Sequence, residues 1–320
     1  MTPYWVRALV ITLANFALAA TAMSLLVGLA APALTRRLER FSPASRATRL
    51  FRLRLLPAAC ATVWSLGVAL PIFLWFEPRD GGHEVFGRTL FVAAMAGAAL
   101  LVRGAWRGAA AWRATGVLVR DWQARGRRLH DIDAPMPVFA IEESFPTVAV
   151  VGCSRPVLLI AERVLRECTA DEVRAMVLHE CAHVTHRDNM KRFLMRACPD
   201  VLRRGSTLDR AWVSAAEQAA DARAAAGDPG FALEIAQALI RVARLAPHVS
   251  TVDVASAFYL GGSIEARVRQ LVAPADSLPD PSRPFVGVLA CSVVLAIAGG
   301  VMPAAPAIHH FVEAAVRVLP

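Results

Sequence analysis

His179-Glu180-Cys181-Ala182-His183 is the stretch on which the reading of this sequence turns. It lies in a segment that the residues around it predict to be helical. Thr169-Ala-Asp-Glu172 makes a capping-box start, and Val173, Met176, Val177 and Val184 recur at helical spacing. On a helix, His179 and His183 are four residues apart and share one face. Two imidazoles there can hold one Zn²⁺, with Glu180 beside them to take a proton from an attacking water. Such an arrangement suits zinc-dependent peptide hydrolysis. A helix that merely carries two exposed or core histidines would show the same five letters, so a third ligand is the first test.

Catalytic zinc sites take three protein ligands and keep one position open. Downstream, Ala215-Ala-Glu217-Gln-Ala-Ala-Asp221-Ala-Arg-Ala reads as a second helix with two carboxylates on one face of an Ala-rich stretch. Glu217 could bind zinc, and Asp221 could accept the spare N–H of a ligand imidazole and fix its tautomer. The alternative is a solvated acidic face.

With both helices in view, H-E-x-x-H followed by E-x-x-x-D resembles the gluzincin membrane metallopeptidases of the M56 (BlaR/MecR-like) and M48 (HtpX and CAAX-protease-like) families. The likeness extends over about residues 137 to 272. Gly152-Cys-Ser-Arg-Pro156-Val-Leu-Leu-Ile resembles the strand ahead of the zinc helix. His186-Arg187-Asp188 resembles the exit from that helix, and Glu265-Ala-Arg267-Val-Arg-Gln-Leu resembles a late helix of the family. Cys181 departs from the more usual Leu or Phe. The resemblance implies an α+β zincin-like domain with one Zn²⁺ per chain, a protein or peptide substrate, and regulated proteolysis or signal transduction. In M56 relatives the substrate can be a cytoplasmic transcriptional repressor. Without an extracellular sensor domain like those of the antibiotic receptors, the trigger would be the short outer loops, another protein or the membrane state. A quality-control protease of the M48 type and a non-catalytic zinc-domain transducer or scaffold are the alternatives.

Composition places the rest of the chain in a membrane. Apolar residues make up 56% and charged ones 19% of 320 residues, more apolar than soluble proteins usually are. Stretches of 28, 22, 14 and 29 residues without Asp, Glu, Lys or Arg follow Arg7, Arg54, Arg88 and Arg283. A spanning helix needs about 20 apolar residues. The expectation is an α-helical membrane protein with about four transmembrane helices: three in residues 1–103 (about 8–34, 55–76 and 85–102), and a fourth in 284–320 ahead of a short outer tail. The third is short and extends to Val85 only with Arg88 snorkelling; a re-entrant or interfacial helix is its alternative. The first is longer than the apolar core of a signal peptide, although its Ala-rich end offers cleavage-like sites.

Arginines crowd residues 36–54 and 103–128, so the positive-inside rule puts the N-terminus outside and the domain at 104–283 in the cytoplasm. A multi-pass protein of a bacterial inner membrane fits this pattern. The net charge of +9 is then read as attraction to anionic lipid rather than to nucleic acid, since no nucleic-acid motif accompanies it. Six cysteines without C-x-x-C pairing suit a reduced compartment. Cys181 is off the histidine face and reads as packing.

Within the domain, 104–129 reads as a basic helix at the membrane surface. Val138–Ile141, Thr147–Val151 and Pro156–Ile160 read as a small antiparallel sheet, whose edge would pair with an extended substrate. Helices are expected at about 162–168, 170–187, 189–198, 208–226, 230–245 and 263–272. His186, Arg223 and His248 are the candidates for stabilising charge in the transition state, and Asp188 is read as bracing the helix end.

Overall fold

The computed structural model describes residues 3–77, 87–143, 146–202, 206–245 and 264–273. The expected fourth span and His248 lie outside them, as does most of the loop between the second and third spans. Three helical stretches are long and apolar enough to cross a membrane. Helix α1 is Tyr4–Leu38. Helix α2 (Pro43–Trp64) continues through a π-helical turn, Ser65–Ala69, into α3 (Leu70–Phe76). Helix α4 is Arg88–Arg125. At 1.5 Å per residue, the 38 residues of α4 reach about 57 Å, nearly twice the hydrocarbon thickness, so the helix projects well beyond a bilayer. The π turn sits directly before Pro71, whose ring could not fit beneath a regular α-helical carbonyl.

The arginine-rich stretch 36–54, between the first two expected spans, is mostly helix. Ser42 caps α2 with Pro43 at its first position, so Arg46, Arg49, Arg52 and Arg54 lie on helical turns. Outward-facing Leu18, Leu25, Leu29, Leu66, Trp75, Val92 and Trp106 are more than half exposed, as lipid-facing side chains would be. Helix α1 packs on both α2 and α4. Where it meets α4 the backbones touch: a Cβ on Gly97 would collide with the Leu13 carbonyl.

Four strands follow: β1 (Arg127–Leu129), β2 (Val138–Ile141), β3 (Val148–Val151) and β4 (Val157–Ala161). Their order is β1-β2-β4-β3. The sheet is mixed, which corrects the antiparallel expectation. The chain passes from β2 to the far edge and turns back at Gly152, whose φ of 104° suits only glycine. It then lays β4 between the two, parallel to β2 and antiparallel to β3. Strand β4 is buried throughout. The main core lies between this sheet and helices α6 (Ala170–Thr185), α9 (Pro229–Leu245) and α10 (Ile264–Val272). Helices α5 (Glu162–Glu167), α7 (Asp188–Ala197) and α8 (Thr207–Ala225) complete the described fold.

Candidate metal centre

Helix α6 begins as its sequence predicts. Thr169 N–H donates to Glu172 Oε2 at 2.8 Å, and Glu172 N–H donates to Thr169 Oγ1 at 3.2 Å. The helix ends at His186, and Arg187 turns left-handed (φ 52°) so that α7 can start at Asp188. Helix α8 is capped by Ser206. It brings ten buried positions, including Glu217 and Asp221, against α6 and the membrane-side core.

Between the helices, His179 Nε2 and His183 Nε2 are 3.2 Å apart. Glu217 Oε2 is 3.4 Å from the first and Oε1 is 3.6 Å from the second. Zinc–nitrogen bonds of about 2.0–2.1 Å would set tetrahedral ligand atoms about 3.3–3.4 Å apart, close to the separation of the two nitrogens and of each nitrogen from its nearer Glu217 oxygen. His179 and Glu217 are fully buried and His183 is nearly so. Glu217 Oε2 is itself buried and has no hydrogen-bond partner among the described residues. A buried carboxylate beside two imidazole nitrogens, with one oxygen accepting no hydrogen bond among the described residues, is what a cation would satisfy. The three residues could hold a metal ion.

Each imidazole has its own orienting carboxylate. Asp221 Oδ1 lies 2.8 Å from His179 Nδ1, and Asp188 Oδ2 lies 2.9 Å from His183 Nδ1. Both therefore favour Nδ1–H and turn Nε2 inward. Asp221 is held in turn by Arg267, bidentate at 2.7 and 2.6 Å, and Asp188 by Lys191 at 2.8 Å. Burial alone would lower the His183 pKa, but Glu217 and Asp188 overcome it and push the value up to about 10. His179 also rises against burial, through Asp221 and Glu217. Burial works to raise Glu217, yet His183, His179 and Arg267 hold it well below the usual carboxylate range.

Glu180 is buried on the face of α6 that meets strand β3. Its Oε2 accepts the Val150 N–H at 2.9 Å, and Oε1 is buried without a hydrogen-bond partner among the described residues. Strand β3 is the sheet edge beside α6. Ala161 N–H bonds Thr147 O, so by alternation the peptide groups of Val148 and Val150 face away from β4. At Val150 the N–H meets Glu180 and the carbonyl meets Asn189 Nδ2 at 2.9 Å.

The sequence candidates separate here. His179, His183, Glu217, Glu180 and Asp221 come together. His186 and Arg223 interact with each other and with Asp188, on the Nδ1 side of His183. Cys181 packs against the core. Arg192 from α7 and Arg267 from α10 lie at the Glu217 carboxylate, at 3.1 and 3.4 Å. Neither was singled out for this role. The Arg267 segment carried the family resemblance, which was the one available signal; nothing in the sequence marks Arg192. No protein-family model, curated protein or solved structure matches the chain.

Proposed function

We propose that this chain is an integral-membrane zinc metalloendopeptidase of the gluzincin type, acting in regulated proteolysis. The observation that carries the reading is the convergence of His179 Nε2, His183 Nε2 and the Glu217 carboxylate at tetrahedral spacing, with the Glu180 carboxylate on the same helix. Two nitrogens and one carboxylate suit zinc. When bound, zinc supplies Lewis acidity, acidifying a water and polarising the scissile carbonyl. Glu180 is the general base that accepts the proton of the attacking water and passes it to the leaving amine. Val150 N–H holds one Glu180 oxygen and leaves the other without a partner among the described residues. Asp221 and Asp188 keep the imidazole tautomers fixed, and Arg267 balances the charge of the carboxylates behind them.

The arginine distribution supports a cytoplasmic position for this domain, and the substrate is then a protein or peptide reached from that side. Wild type and Glu180→Gln, purified in detergent or nanodiscs, test the reading by metal analysis and a casein or self-cleavage assay. Both should bind about one zinc, and only wild type should cleave. Metal binding by both without cleavage by either would favour a non-catalytic transducer. A wild type that takes up no zinc would overturn the site.

A further inference from the structure

We infer that Arg192 is a positioning residue that selects which oxygen of Glu217 faces the metal, and that it makes ligand geometry depend on where α7 sits. The inference rests on the metal reading of the site given above. A buried carboxylate can bind a cation through one oxygen or both. Here the two oxygens differ. Oε1 lies 3.6 Å from His183 Nε2 and accepts from Arg192 NH2 at 3.1 Å, while Oε2 lies 3.4 Å from His179 Nε2 without a hydrogen-bond partner among the described residues. Arg267 NH1 forms an ion pair with Oε2 at 3.4 Å without donating a hydrogen bond to it, while its Nε and NH2 pair with Asp221. Arg192 thus holds Oε1 and leaves Oε2 as the ligand atom.

Arg192 comes from α7 rather than from the helix that bears Glu217. Its guanidinium carbon lies 5.8 Å from the ring centroid of Trp212, which is wholly buried on α8 five residues before the ligand. Arg192 Nε is buried without a hydrogen-bond partner among the described residues, so the ring and Oε1 hold the group in place. Helix α7 is in turn seated on α4, with Phe193 edge-on to Trp112 at 5.9 Å and Ala197 against Gly108. A shift of α7 along α4 would therefore move the donor that orients Glu217, together with Asp188, which the same helix sets against His183 Nδ1.

The test uses the full chain in detergent, stripped of metal and titrated with Co²⁺ and, by chelator competition, with Zn²⁺. Arg192→Gln should bind each metal 10–100-fold more weakly, the usual effect of removing a partner that orients a ligand. Its cobalt complex should also lose visible absorption, as a carboxylate binding through both oxygens raises the coordination number. Arg192→Lys, which keeps a donor, should recover most of the affinity, and it also serves if the glutamine variant does not fold. Wild-type affinity and spectrum in Arg192→Gln would overturn the inference alone. In the lysine variant used by itself, loss as complete as in His183→Ala would do the same. A wild type that binds no cobalt would overturn the metal site, and the inference with it.

Discussion

At the scale of single residues, Glu180 and the two aspartates behind the histidines make separate contributions. Glu180→Gln keeps an oxygen to accept the Val150 N–H, so the fold and the ligands should be undisturbed. Cleavage should fall at least 10²-fold, the lower end of what a general acid–base group contributes, with metal content unchanged. Asp188→Asn should act on the metal instead. With Asp188 and Glu217 around it, His183 carries a proton at neutral pH before metal binds, since its pKa is raised to about 10. That proton must leave for Nε2 to ligate, so zinc affinity should rise with pH through the neutral range and level off only as pH approaches 10. Removing the Asp188 charge should lower the His183 pKa and flatten that rise. It should also weaken binding 10–100-fold where proton competition is absent. Chelator-competition titrations between pH 6 and 9 measure both effects, and an unchanged slope in Asp188→Asn would count against this account.

The candidate ligands and one partner were legible because their spacing is local: His179 and His183, and Glu217 and Asp221, are each four residues apart on helices that the caps and apolar rows announce. The partners that complete the site were not legible. Arg267 reaches Asp221 across 46 residues, and Arg192 reaches Glu217 across 25. With 34 arginines in the chain, no pattern says which one a buried carboxylate meets.

At the scale of elements, the helices of the metal domain follow the sequence closely. Caps at Thr169 and Ser206 and the break at Asp228-Pro229 are local chemistry. The sheet was less legible, because strand order depends on where the chain crosses over. The run Val157–Ala161 is apolar whether it pairs with one neighbour or two. Strand β1 is three residues long and arginine-rich, which gave no strand signal. Close approach between helices was also hidden. A Cβ on Gly104 would lie 2.7 Å from the Ala197 carbonyl oxygen and 3.2 Å from Pro199, so α4 and the end of α7 would have to part. Gly104→Ala should therefore destabilise by about 1–3 kcal/mol, as overpacking does. Gly116→Ala, on the same helix, would meet only the end of the Arg120 side chain at 3.6 Å. It should gain up to about 1 kcal/mol from helix propensity. Thermal unfolding of the two variants in one detergent decides it; equal shifts would mean that the α4–α7 contact carries no constraint.

At the scale of the whole molecule, the membrane-length helices grip the domain that carries the candidate metal site through charge. Arg54 of α2 is buried and pairs with Asp200, which is fully buried, and with Asp209 at 2.9 Å. Arg103 and Arg107 of α4 donate to the carbonyls of Asp200 and Cys198, and Arg46 donates to Gln218 beside the candidate ligand Glu217. Arginines that the sequence assigns to the lipid surface thus include several that hold the segment joining α7 to α8. A basic residue at a membrane edge suits either environment, so composition alone could not separate them. This arrangement can be tested by charge removal. Arg54→Met would leave Asp200 buried without its partner, a loss that typically costs about 3–5 kcal/mol. Adding Asp200→Asn should recover most of that, because the orphaned charge, more than the lost attraction, sets the penalty. The measurement is thermal unfolding together with proteolysis of the 198–209 segment in nanodiscs. A single variant that unfolds like wild type would show that Arg54 does not anchor the domain. A double variant no more stable than the single would show that the pair itself, rather than the unpaired aspartate, joins membrane bundle to metal site.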